Sequence, residues 1–252
     1  QSFDKNIRDG ARQLILNSPT DLKGLPQDYI GAHKPDANGK IILTTAYPVY
    51  MPFMQYAESD ELRRQIDIIF RQQAYPENKK VLHELLTKRH ELANLLGYKN
   101  YATFITEDKM IKSPDNAQNF IDKVSAVASP RAQSEYNELL KRLKKIDPSA
   151  SKVADWQKIY LEDLVKKEQY QVNAQEVRQY FHYDNVRKGI FDLTQTMFGI
   201  TIKPWETKVW HQSVKAYQIF DGDKLIGRFY LDMHPREGKY KHAAEFSIIN
   251  GI

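Results

Sequence analysis

Cysteine is absent from the 252 residues. Disulfides, thiolate zinc sites and cysteine nucleophiles are thereby excluded within this chain. The same absence does not decide the compartment. No apolar run approaches the roughly 18 residues that a membrane span needs, and no secretory signal pattern stands at the N-terminus. The first residue is Gln1 rather than Met, which leaves a processed N-terminus and a lost targeting segment open. Internal repeats and low-complexity linkers are also lacking. So are G-x-S-x-G, a Walker phosphate loop and a dinucleotide fingerprint, each of which would mark a specific chemistry.

What is present is ordinary for a globular protein: 41% apolar residues and 27% charged. The length suits one large domain or two small ones. Tyrosine is common, at 15. The formal net charge is +5, but Lys and Arg are scattered and no nucleic-acid motif accompanies them, so no nucleic-acid partner and no membrane partner is expected.

Apolar periodicity predicts a mainly α chain with a small antiparallel sheet near the C-terminus, an α+β class. Phe3 to Leu16 reads as a helix. Pro26 to Gly31 is a short one, and Lys40 to Thr45 a brief strand. Tyr47 to Ala57 is a helix troubled by Pro48 and Pro52. Ser59 caps the next helix, with Leu62, Ile66, Ile69 and Phe70 on one face. Glu77 to Leu96 is strongly helical and stops at Gly97. Ser113-Pro114 opens a long helix that Pro130 should kink or break. Asp155 to Tyr170, Asn173 to Tyr180 and Asp184 to Phe198 are further helices. Val214 to Phe220 and Lys224 to Asp232 flank Asp221-Gly222-Asp223 as a hairpin. The single boundary lies near Gly199, giving a helical region 1–199 and a sheet region 200–252.

One stretch stands out, Gly227 to Ala244. Phe229, Leu231 and Met233 alternate with Tyr230, Asp232 and His234, as in a strand with two unlike faces. Pro235 ends it, Arg236-Glu237-Gly238 makes a polar turn, and Ala243 to Ile249 reads as a second strand.

The stretch Phe229 to Ala244, FYLDxxPREGKYxHAA, resembles the segment that precedes the zinc site in the thimet oligopeptidase-like zinc metallopeptidases. Other segments resemble the same family in order: Phe3-Asp4-Lys5-Asn6, Leu22-x-Gly24-Leu25-Pro26-x-Asp28, Tyr47-Pro48-Val49-Tyr50-x-Pro52 and Leu95-Leu96-Gly97-Tyr98-Lys99-Asn100-Tyr101-Ala102. Asp155-Trp156-x-x-x-Tyr160, Val177-Arg178-Gln179-Tyr180-Phe181, Phe198-Gly199-Ile200 and Val209-Trp210-His211 follow. Two positions depart: Gln179 stands where the family has proline, and Met233-His234 where it has Leu-Tyr.

The resemblance implies a larger, two-lobed, mostly helical metalloendopeptidase that hydrolyses short peptides with zinc. It implies a monomer in the cytoplasm, or alternatively the periplasm. A zinc helix needs His-Glu-x-x-His. His83-Glu84-Leu85-Leu86-Thr87 and His90-Glu91-Leu92-Ala93-Asn94 begin the motif but carry Thr87 and Asn94 where the second histidine belongs. Zinc is therefore expected in a full-length enzyme and not in this chain, which has no catalytic or metal residue of its own. In that reading the remainder of its own polypeptide is a partner. His211 and His234 read as hydrogen-bonding groups at strand ends. For substrate the resemblance points to Tyr240, Lys241, His242, Ala243 and Ala244, on a sheet edge from Lys241 to Phe246. Small Ala243 and Ala244 would let a peptide backbone approach. Two other classes stay open: a non-catalytic peptide-binding module, and a basic helical nucleic-acid binder.

Overall fold

The computed structural model describes residues 2–236, 238–239 and 243–249. Contacts divide the chain into two compact units, Gln1–Gln171 and Val172–Ile252. The expected boundary near Gly199 falls inside the second unit.

The first unit opens with α1 (Ser2–Asp9) and β1 (Gln13–Leu16). A single helix from Phe3 to Leu16 was expected; the chain instead changes at Gly10. A Cβ there would lie 2.6 Å from Asn6 O and 3.0 Å from Ala74 N, so the backbone passes too close to a neighbour for any side chain. Beyond it, Leu14 and Leu16 alternate with exposed Gln13 and Ile15, and β1 pairs antiparallel with β2 (Ile41–Thr44). Leu14 faces Leu43 and Leu16 faces Ile41. All four are buried, at about 1.5–3 kcal/mol each relative to exposure.

A 3-10 turn at Pro19–Leu22 and α2 (Gln27–Ala32) join these strands. Then come α3 (Tyr47–Tyr56), α4 (Asp60–Arg71), α5 (Glu77–Leu95), α6 (Tyr101–Glu107), α7 (Pro114–Lys144) and α8 (Asp155–Tyr170). Ser59 caps α4 by accepting from Leu62 N–H, as expected. The core joins Leu16, Leu22, Ile41, Leu43, Phe53, Met54 and Ile66, with Trp156 and Ile159 of α8 against it. The break expected at Pro130 does not occur, and α7 continues through it as one helix. The ring removes one backbone donor at a solvent-exposed turn, where water can serve the freed carbonyl.

Charge is built into this core. Arg63 is 3% exposed. Its Nη2 donates to Asp60 at 2.8 Å, Nη1 donates to Ala57 O, and the guanidinium lies 4.0 Å from the Tyr160 ring centroid. Asp60 also accepts from Trp156 Nε1 and Gln157 Nε2, each at 3.0 Å, which ties α8 to the start of α4.

The second unit holds α9 (Ala174–Arg178), α10 (Tyr183–Phe198), β3 (Ile200–Pro204), β4 (Lys215–Asp221) and β5 (Lys224–Leu231). Gly199 stops α10 at φ +66°. The sheet order is β3-β4-β5, all antiparallel, with the hairpin turning at Gly222–Asp223. Ten helices and two small antiparallel sheets among the described residues make the chain mainly α with small β parts.

Candidate functional site

The two-faced reading of β5 holds as far as Leu231; Asp232 to His234, expected to carry the strand on to Pro235, lie outside it. One face meets α10: Phe229 stacks on Tyr217 at 5.3 Å, and Phe191 stands edge-on to both, at 5.9 and 4.9 Å. The other carries aromatic rings. Tyr230 packs between Trp205 at 5.7 Å and Trp210 at 5.1 Å, and the Arg228 guanidinium lies 4.4 Å from the Trp205 centroid.

Asp232 follows β5 and gathers the next turn around itself. Arg236 donates to both its carboxylate oxygens, at 2.7 and 2.8 Å. Trp210 Nε1 donates at 3.0 Å and Lys239 Nζ at 3.1 Å. Lys239 Nζ also donates to the backbone carbonyls of Asp232 and His234. This fork-on-carboxylate geometry gives strong hydrogen bonds. The Arg236 bonds, followed by those from Trp210 and Lys239, hold the Asp232 carboxyl far below the usual carboxylate range. Gly238, at φ +69°, lets the turn close.

Beyond the turn, Tyr240, Lys241 and His242 lie outside the described residues. Ala243 and Ala244 are exposed. The expected strand from Ala243 to Ile249 is absent, and Ala243 to Phe246 forms no ladder here. Small residues followed by bulky apolar ones do not by themselves make a strand; it needs a neighbour to pair with, and the sheet described ends at β5. Phe246, Ile248 and Ile249 are 79%, 74% and 89% exposed.

The histidines behave locally. His211 Nδ1 lies 2.8 Å from Ser213 Oγ, and His234 is edge-on to Tyr183 at 5.6 Å. On α5, Thr87 Oγ1 donates to His83 O at 3.0 Å, and the His90 ring lies 3.0 Å from Asn94 Nδ2. Thr87 and Asn94 thus stand where a zinc helix needs histidine. Among the described residues no three His, Cys, Asp or Glu side chains converge as metal ligands. Sequence reasoning took Arg236 and Gly238 for a polar turn and missed that Trp210, Arg236 and Lys239 meet on one carboxylate; only the -D-x-x-x-R-x-x-K- spacing hinted at it.

Comparison with known proteins places these features. Residues 53–252 match Peptidase family M3. A "Thimet-like oligopeptidase" of Dictyostelium discoideum is 32% identical over 99% of this chain and 39% of its own length. "Oligopeptidase A" of Escherichia coli (strain K12) is 29% identical over 94% of this chain and 37% of its own. "Saccharolysin" of Saccharomyces cerevisiae is 29% identical over 98% and 37%. The chain therefore spans less than two fifths of the length of these relatives. The family match runs from the end of α3 through the β3-β4-β5 sheet and the Asp232 turn, and the chain belongs to Peptidase family M3.

Proposed function

We propose that these residues supply scaffold and one wall of the substrate channel in a zinc-dependent oligopeptidase that hydrolyses short peptides. The observation that carries this reading is the family match across 53–252, which takes in both the Asp232 turn and the exposed Ala243–Ala244 step. Substrate contact is assigned to Tyr240, Lys241, His242, Ala243 and Ala244. A peptide lying along them at ladder distance, about 4.8 Å, would gain main-chain hydrogen bonds independent of its sequence. That suits an enzyme acting on many short peptides. The helical region 1–199 would serve as scaffold and 200–252 as the channel side. A monomer in the cytoplasm fits this reading.

Zinc in such an enzyme would be held by residues other than these 252, because neither His83 nor His90 has a second histidine four residues on. In this reading the side chains of this chain carry no catalytic step. They bind and position. The 252-residue chain alone should not cleave a quenched short peptide, with or without added zinc, since it lacks a complete metal-ligand set and its general base. Metal-dependent turnover by that chain would sink the reading. The positive test uses Ala243→Pro or Ala244→Pro in a longer polypeptide that joins these residues to a His-Glu-x-x-His helix. Each removes a backbone donor. A folded variant should lose most of its kcat/KM; wild-type cleavage would refute the edge role. A non-catalytic peptide-binding module is the second reading, favoured by the incomplete motifs at His83 and His90.

A further inference from the structure

Two clefts adjoin within the unit Val172–Ile252, of about 510 and 570 Å³. Arg187 and Lys215 line both. On one side of this cationic pair the walls include Trp205, Val214 and Tyr217, an apolar and aromatic surface. On the other they include His182, Ser213 and His234, a polar one. Each cleft is of the size that accepts a small ligand.

The two cations are prepared differently. Arg187 lies on α10, where Nη2 sits 3.0 Å from Asp184 Oδ1 and the guanidinium 5.5 Å from the Tyr183 centroid. These contacts fix its plane and use one of its five N–H donors, leaving others for a ligand. Lys215 begins β4, and among the described residues no ion pair engages it. Glu206 lines the apolar cleft and Asp184 the polar one, so each cleft has two cations against one carboxylate. Asp184 is already paired with Arg187.

A ligand that matches this layout carries an apolar group next to an anion. We propose that the joined clefts hold the carboxy-terminal residue of a short peptide, its apolar side chain beside Trp205 and Tyr217 and its terminal carboxylate between Arg187 and Lys215. This rests on the reading that the chain meets peptides, and it adds a subsite that fixes one end of them. Arg supplies parallel donors to a carboxylate and Lys a point charge, a common division of labour. Anchoring the terminus would favour short peptides over internal segments of long chains, whose carboxylate is elsewhere.

The probes are acetyl-Ala-Phe as the free acid and as the C-terminal amide, titrated into the 252-residue chain. Tryptophan fluorescence reports on Trp205, and two-dimensional NMR maps the shifts. The free acid should bind saturably, the amide at least about tenfold more weakly. Arg187→Gln and Lys215→Gln should each erase the difference while circular dichroism stays unchanged, and Lys215→Arg should restore it. Equal binding of acid and amide, or saturable binding of neither, overturns the proposal. So does inorganic phosphate competing as tightly as the peptide acid, which would make this a general anion site. Failure of a longer chain to cleave peptides would bear on the channel reading and leave acid-over-amide discrimination standing.

Discussion

At Asp232 a single carboxylate receives donors from Trp210, Arg236 and Lys239. Its folded pKa is depressed, so the stabilisation is fully present above the ordinary carboxylate range and is lost only as pH falls through the lowered value. The turn should therefore keep its protection from amide exchange, read at Lys239, from neutral pH down past pH 4. Asp232→Asn should remove that protection at all pH values and cost about 1–3 kcal/mol locally. Protection in wild type that fades near pH 4 would contradict the clamp. Arg63 is a second residue whose loss should be felt. Burial lowers its pKa, the facing Asp60 opposes that, and Nε has no hydrogen-bond partner among the described residues. Arg63→Ala should cost about 3 kcal/mol in urea unfolding, through lost packing on Tyr160 and lost bonds to Asp60 and Ala57 O. A change under 1 kcal/mol would mean that water takes over its role.

Among the elements, the junction at Gly10 is the most sensitive to a small change. Gly10→Ala places a methyl 2.6 Å from Asn6 O and 3.0 Å from Ala74 N, both backbone atoms. The variant should lose about 1–3 kcal/mol by thermal or urea unfolding; a neutral result would show that α1 shifts freely. This junction also shows where sequence reading stops. Local chemistry is legible: the Ser59 cap, the Ser113-Pro114 start, Gly199 at positive φ and the Gly222 turn all stand as expected. Each is decided within a few residues. β1 was hidden because its partner, Ile41–Thr44, lies some way along the chain, and β3 because it depends on β4. Ala243–Ile249 failed in the opposite sense, with strand-like residues and no ladder among those described. The Asp232 cluster was not read from the sequence: Arg236 was taken only as part of a polar turn, and Trp210 arrives from 22 residues away.

Over the whole molecule, much apolar surface stays open. Leu82, Leu86 and Leu95 of α5 are 44%, 54% and 84% exposed, and Phe120, Val124 and Val127 of α7 are 62%, 51% and 82%. Apolar patches of this kind mark surfaces that meet other protein. The 252-residue chain should bind a hydrophobic dye such as ANS strongly. Phe120→Lys with Val127→Glu should reduce that fluorescence by about half without lowering Tm, because neither residue belongs to the core cluster. Unchanged fluorescence would place the dye elsewhere. The start of the first unit, in turn, is tied to the beginning of α5. Asn78 Nδ2 donates to Phe3 O at 3.0 Å, Asn6 Nδ2 donates to Asn78 Oδ1 at 2.8 Å, and Gly10 rests on Ala74. These contacts close a ring of some 70 residues, at an entropy cost of about 4 kcal/mol. On a ribosome, then, the N-terminal helix must wait for Asn78 to leave the exit tunnel before it can dock. The helix is thus made some 70 residues ahead of the side chain that holds it in place.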